Sequence, residues 1–361
     1  MAVTLSDVAN RANVSPATVS RVLNGNYPVA AATRERVLRA VDELDYVLNG
    51  PASSLAAATS DLVGILVNDI ADPFFGIMAS AAQSEMVGLD ADGNGTGRAG
   101  GEKLAVVCNT GGSPDRELTY LTLLQRQRAA AVLLTGDTVD DPAHSAAVAA
   151  KLARLAEGGT RVVLCGRPSP AAHPDAVLAA LPFDNRGGAR ALTAHLLELG
   201  HRRIGQVAGP AERTTTRHRL EGHRQALAAA GLGDAEDHER LTVHGSYDRL
   251  SGYRAARELL AREPDLTAIV AANDTVALGV CAALREAGLR IPEDVSVAGF
   301  DDLPFSADAV PALTTVRLPL QEAGARAGRL ALGREEPPAS GVAEVGAELV
   351  VRASTAAPGR G

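Results

Sequence analysis

The chain has 361 residues, with 43 acidic and 35 basic side chains for a net charge of −8, and 46% of it is apolar, which provides for two or three domains with full cores. No apolar run approaches the roughly 20 residues that span a bilayer, and the opening MAVTLSDVANRANVS lacks the charged, apolar, small-residue order of a secretory signal. Cys108, Cys165 and Cys281 lie in or near apolar runs without CxxC spacing and read as buried free thiols of a reducing cytoplasm, so membrane, secreted and disulfide-stapled classes drop out.

The charge is unevenly placed. Residues 1–39 carry Arg11, Arg21, Arg34, Arg36 and Arg39 against Asp7 and Glu35, a balance of +3 on an otherwise acidic chain. A small basic head on an acidic body is compatible with a DNA-binding domain attached to something else. Three short helices are predicted in that head. Thr4 caps the first, through Ala12, with Asp7 at the third helical position completing a capping-box pattern. Ser15 caps the second, with Pro16 at its first position and Asn24-Gly25-Asn26 ending it. The third covers about Ala32 to Asp45. Two short helices joined by a tight turn, with a third in support, form the helix-turn-helix pattern.

Residues 47–60, VLNGPASSLAAATS, are small, polar and uncharged and read as a linker containing a helix too short to persist alone. From Leu62 onward strand-like runs (62–67, 103–108, 130–134, 161–165, 203–208, 266–272 and 294–300) alternate with helical patterns (around 74–88, 114–128, 142–157, 186–199, 214–230, 249–262 and 274–287). Such alternation predicts parallel sheets covered by helices on both faces. About 290 residues exceed one comfortable core, so two α/β lobes are expected, with the ligand site in the cleft at the carboxyl ends of their strands. The predicted organisation is a head (1–46), a hinge (47–60), a two-lobed body (61–353) and a flexible tail (354–361).

On the second helix, Val19 and Val22 face inward while Ala17, Thr18, Ser20 and Arg21 stay exposed. An exposed arginine there can hold guanine through two bonds, Ala17 can pack on a thymine methyl, and the hydroxyls suit phosphates; a structural three-helix module with a solvated arginine fits the same periodicity. In DPFFG (72–76), Asp72 can accept hydroxyl hydrogen bonds and Phe74 or Phe75 can pack on a ring, although Asp-Pro also starts helices and phenylalanines also fill cores. Residues 90–102 match the first half of a calcium loop, but position twelve is Gly101, so no bidentate ligand closes the site and the stretch reads as a flexible insertion. No histidine spacing suits zinc, no glycine-rich phosphate loop occurs, and no nucleophile–base–orienter set emerges. No cofactor, no metal and no enzymatic activity is expected.

VTLSDVANRANVSPATVSRVLNGN, followed by TRERVLRAVDELDY, resembles the LacI/GalR family of bacterial transcription regulators. The resemblance continues in family order through DPFFG, DNRGGARAL (184–192), HLLELGHRRIGQVAGP (195–210), AANDTVALGV (271–280), IPEDVSVAGFDD (291–302), PALTTVRLP (311–319) and ELVVRAST (348–355). It implies an all-α helix-turn-helix head joined to a two-lobed α/β body similar to periplasmic sugar-binding proteins, the chain crossing between lobes near Phe183, Leu318 and Gly341. By position it implies base reading by Pro16, Ala17 and Arg21, backbone contacts from Thr4, Ser15, Thr18, Ser20, Asn24, Thr33 and Tyr46, and a minor-groove leucine wedge at Leu55. Ser53 and Pro51 depart from the family's hinge pattern. Effector positions fall on Asp72, Phe74, Phe75, Phe183, Arg213, Thr215, Arg219, Tyr247, Asn273 and Asp301; Gly166-Arg167 and Leu318 depart from common choices there.

These features predict a cytoplasmic repressor that reads a palindromic double-stranded operator as a homodimer and responds to a small effector. DPFFG resembles the galactose-repressor side of the family, which favours a sugar over a purine or other metabolite. A solute-binding protein would need a secretory signal and no head.

Overall fold

The computed structural model describes residues 3–24, 29–44, 46, 60–86 and 103–359. Helices α1 (Leu5–Ala12), α2 (Pro16–Asn24) and α3 (Ala31–Glu43) build the head. The α1 capping box closes as its sequence specifies: the Asp7 amide donates to Thr4 Oγ1 at 3.3 Å and the Thr4 amide donates to Asp7 Oδ2 at 2.8 Å. Asn13 ends α1 at φ 52°, a left-handed conformation that asparagine tolerates. Ser15 Oγ then accepts from the Thr18 amide at 3.2 Å, leading α2 in behind Pro16. Val8, Ala9, Ala12, Val19, Val22, Val37 and Ala40 bury one small core, with Tyr46 half-buried against it. Residues 47–59 of the predicted hinge, including Leu55, the 90–102 insertion and the Asn24 side chain lie outside the described residues.

The body holds two parallel sheets. In the first, β1 (Leu62–Val67), β2 (Leu104–Asn109), β3 (Ala131–Thr135), β4 (Arg161–Cys165) and β5 (Ala179–Leu181) run in the order β2-β1-β3-β4-β5. Ile65 sits between Val107 and Leu133 in register. Every residue of β3 is buried, as expected for an inner strand covered on both faces. Helices α4 (Pro73–Met86), α5 (Pro114–Arg126) and α6 (Pro142–Glu157) connect these strands.

In the second sheet, β6 (Ile204–Ala208), β7 (Thr242–His244), β8 (Ala268–Ala271) and β9 (Ser296–Ala298) run in the order β7-β6-β8-β9, with α7 (Asn185–Glu198), α8 (Thr214–Ala229), α9 (Ala235–Arg240), α10 (Arg249–Arg262) and α11 (Asp274–Glu286) around it. A one-turn helix α12 (Phe305–Asp308) follows, and β10 (Thr315–Arg317) pairs antiparallel with β11 (Glu348–Val350).

The chain passes from the first lobe to the second after Phe183, where α7 begins and packs on α8. It returns with α13 (Leu320–Leu332), which packs on α4. Val342 and Val345 then bridge to Ala180 and Phe183 before β11 rejoins the second lobe.

The segment 354–359 corrects the expectation of a flexible tail. Ser354 is fully buried, its Oγ donating to the Val297 carbonyl at 2.6 Å and accepting the Thr314 amide at 2.8 Å. His201 Nε2 meets the Ala356 carbonyl at 2.9 Å, and His195 Nε2 meets Thr355 Oγ1 at 3.2 Å. Short polar residues without periodicity look like a tail in sequence, but here they supply the partners for buried groups of the second sheet.

Candidate functional site

Loops leaving the carboxyl ends of strands in both sheets converge on one cavity of about 420 Å³. From the first lobe come Asn68, Asp69 and Asp72 after β1, Gly111 and Gly112 after β2, Gly136 and Asp137 after β3, and Gly166 after β4. From the second come Pro210 and Arg213 after β6, Ser246, Tyr247 and Asp248 after β7, Asn273 and Thr275 after β8, and Asp301 after β9. Strand order makes this inevitable: β1 and β3 are neighbours in the first sheet, and β6 and β8 in the second, while their following helices go to different faces, leaving a crevice at each switch point.

All ten effector positions implied by the sequence line this cavity: Asp72, Phe74, Phe75, Phe183, Arg213, Thr215, Arg219, Tyr247, Asn273 and Asp301. Asp72 Oδ1 accepts the Phe74 amide at 3.0 Å and so opens α4. Burial pushes its carboxyl above the usual range, against that amide bond. Phe74 meets Phe75 edge-on at 4.9 Å and Phe183 at 6.1 Å, forming an aromatic wall. Two glycines make room for it. A Cβ on Gly136 would come within 2.5 Å of Phe75, and one on Gly166 within 3.0 Å of Phe183; both have positive φ.

Arg219 lies on the buried side of α8 and is held on three sides. Its Nε donates to Asn185 Oδ1 at 2.8 Å, Nη1 donates to the Ala272 carbonyl, and Nη2 donates to Asp301 Oδ1 at 2.8 Å. The guanidinium carbon stands 3.7 Å from the centre of the Phe300 ring. Asp301 adopts φ 103°, rare outside glycine, which turns its carboxylate toward Arg219. Burial pushes that carboxyl up, to about 7, against the pull of Arg219. Asn273 Oδ1 caps α11 by accepting the Val276 amide at 2.8 Å, and Tyr247 Oη meets Thr216 Oγ1 at 2.7 Å.

Three carboxylates at the cavity, Asp69, Asp137 and Asp248, were not singled out in the sequence. Asp137 is buried; its Oδ1 accepts Asn68 Nδ2 at 3.0 Å and lies 3.4 Å from Arg213 Nη1, while Oδ2 is buried with no partner among the described residues. Burial raises its pKa, with Arg213 and then Arg167 opposing. The position of Asp137 two residues past a buried strand, in LLTGD, was the available signal. Arg213 also reaches the Gly112 carbonyl at 2.5 Å, so one side chain of the second lobe grips two loops of the first. Beside it Val139 bridges to Arg213, the Thr214 amide donates to Thr138 at 3.1 Å, and the Asp140 amide donates to Glu212 at 2.6 Å.

Gly166 lines the cavity, but Arg167 turns away from it. Its guanidinium donates to the Gly136 and Thr135 carbonyls, each at 3.2 Å, and to Glu117 Oε1 at 2.5 Å. The arginine thus supports the loop that presents Asp137.

In the head, Pro16, Ala17 and Arg21 are exposed on α2, whereas Thr18, Ser20, Thr33 and Tyr46 are half-buried. The Thr4, Ser15 and Thr18 hydroxyls already serve helix starts, Ser15 Oγ and Thr18 Oγ1 lying 2.9 Å apart. No helix among the described residues is long and apolar enough to cross a membrane.

Residues 4–49 match the lacI family of bacterial regulatory proteins, and 193–355 match the periplasmic binding protein-like domain. The transcriptional regulator CelR of Thermobifida fusca is 37% identical over 337 residues, covering 92% of this chain and 91% of that one. The structure of the lac repressor dimer bound to operator and the anti-inducer ONPF superposes with a TM-score of 0.78 at 28% identity, covering 99% of this chain and 100% of that one. The CelR–cellobiose complex superposes with a TM-score of 0.64 at 33% identity, covering 98% and 99%.

Proposed function

The chain belongs to the LacI family of bacterial regulatory proteins, and from that premise we propose that it is a cytoplasmic transcriptional repressor that binds a palindromic operator as a homodimer and a sugar between its lobes. The observation that carries the effector reading is the convergence of all ten sequence-assigned positions on one cavity shared by both sheets. The family consists of transcription regulators rather than enzymes.

The chemistry fits a polyhydroxylated ligand. Carboxylates, amides and hydroxyls offer directional hydrogen bonds, and the Phe74–Phe75–Phe183 wall offers apolar surface for a ring face. A ligand there touches loops of both lobes, so it favours one lobe arrangement over another by its differential contacts. Operator affinity changes with that arrangement, and linkage requires operator DNA to change sugar affinity by the same factor. In the head, Arg21 and Ala17 project from α2 as base readers, and each protomer supplies one half-site.

Selection from a random duplex library with the full chain tests this. A two-fold symmetric site should be enriched, and a sugar should change its affinity. Enrichment of no specific sequence, or a specific site indifferent to every sugar while a purine alters it, would overturn the reading.

A further inference from the structure

We propose that the effector is an uncharged saccharide of two linked pyranose rings, and that the cleft rejects phosphorylated and other anionic sugars. This rests on the sugar reading above and narrows its class.

Charge is the first argument. The cavity is lined by five aspartates, Asp69, Asp72, Asp137, Asp248 and Asp301, and two arginines, Arg213 and Arg219, a formal balance of −3. Neither arginine is available to an anion in full. Arg219 is spent on Asn185, Ala272 and Asp301, and Arg213 on Asp137 and Gly112. Asp69, Asp72 and Asp248 have no ion-pair partner among the described residues. A phosphate would meet these carboxylates at close range in a low-dielectric cleft.

Unmet hydrogen-bonding capacity is the second. Asp137 Oδ2 and Thr275 Oγ1 are both buried with no partner among the described residues, and both residues line the cavity. They belong to opposite lobes, one after β3 and the other after β8. Buried polar atoms are ordinarily satisfied, so a ligand with hydroxyls toward both walls completes the site. A carboxylate oxygen needs a donor, which a hydroxyl provides and a phosphate oxygen does not.

Size is the third. At close packing one hexopyranose fills roughly 180 Å³ and two linked rings about 350 Å³, against a cavity of about 420 Å³. That space is not the product of gaping lobes. Thr138–Thr214 and Asp140–Glu212 backbone contacts already close one rim. A single ring would leave about half of the cavity to water, whereas two rings reach both the aromatic wall and the second-lobe loops.

Calorimetric titration of the full chain tests this with cellobiose, maltose, lactose and melibiose, with glucose, galactose and ribose, with glucose 6-phosphate and trehalose 6-phosphate, and with adenine and guanine. One neutral disaccharide should bind at least tenfold tighter than any monosaccharide or sugar phosphate. A monosaccharide or a phosphorylated sugar as the tightest ligand would overturn this inference and leave the sugar reading standing. Binding by a purine alone, or silence of the whole panel toward a folded protein, would overturn both. Asp69→Asn removes one charge at unchanged shape. It should tighten trehalose 6-phosphate several-fold, because a carboxylate that repels the phosphate is gone; an unchanged affinity for that anion would remove the charge argument.

Discussion

Arg219 and Asp301, 82 residues apart in sequence, form a buried ion pair at 2.8 Å on the floor of the cleft. Their side chains are only 8% and 4% exposed, so each is the other's main compensation for leaving water.

Arg219→Ala should therefore do two things. It should abolish the effector response, and it should lower stability by about 3–5 kcal/mol, because the Asp301 carboxyl, Asn185 Oδ1 and the Ala272 carbonyl all lose their buried partner. Arg219→Met combined with Asp301→Asn should lose less stability than Arg219→Ala alone. Urea unfolding of the three proteins measures this. Equal losses in single and double variants would mean that the pair is not the coupled unit described here.

Arg213 connects the lobes through Asp137 and Gly112. Arg213→Ala should reduce the factor by which ligand changes operator affinity, about five-fold or more, since couplings of this kind are worth about 1–3 kcal/mol. Titrating operator binding with and without saturating ligand gives that factor. An unchanged factor would make the contact incidental to signalling.

In the head, Arg21→Ala should cost about 1–3 kcal/mol at the selected operator and little on random DNA. Fluorescence anisotropy on both duplexes separates the outcomes. An equal loss on random DNA would assign Arg21 to a phosphate.

Glu117 provides a pH test. Burial alone would raise its carboxyl, but Arg167 at 2.5 Å and His144 at 3.1 Å outweigh burial and hold it down at about 2, below its ordinary 4.5. A folded-state value below the unfolded one means that the stabilisation is complete above pH 4.5 and is lost as pH falls toward 2, by up to about 3 kcal/mol. Glu117→Gln should be less stable near neutrality, with the difference from the parent shrinking through that window. Parallel acid-unfolding curves that never converge would contradict the assignment.

Much of this molecule is written locally in its sequence. Thr4, Asp7, Ser15 and Pro16 define the starts of α1 and α2, the capping bonds spanning three residues. The inner strands are legible because burial on both faces demands unbroken apolar runs, as in LVGILV and AVLLT. The ten cavity positions were legible through resemblance to a family, not through periodicity.

What escaped the sequence depends on chain topology. Strands β5, β7, β10 and β11 are three residues each, too short to show alternation, and exist because a neighbour is in register. Helix α13 carries Gly324 and Gly328, which lower its intrinsic propensity, and it forms by packing closely on Met78 and Ala82 of α4. The tail is ordered because Ser354 and Ala356 meet polar groups of a distant sheet. The sequence alone determined which residues could bond to a ligand. The crossing of the strands decided that Asp137 faces Arg213, that Arg219 is already occupied by Asp301, and that two buried oxygens on opposite lobes stand at the cleft without a partner among the described residues, because such arrangements arise only where the carboxyl ends of two sheets meet.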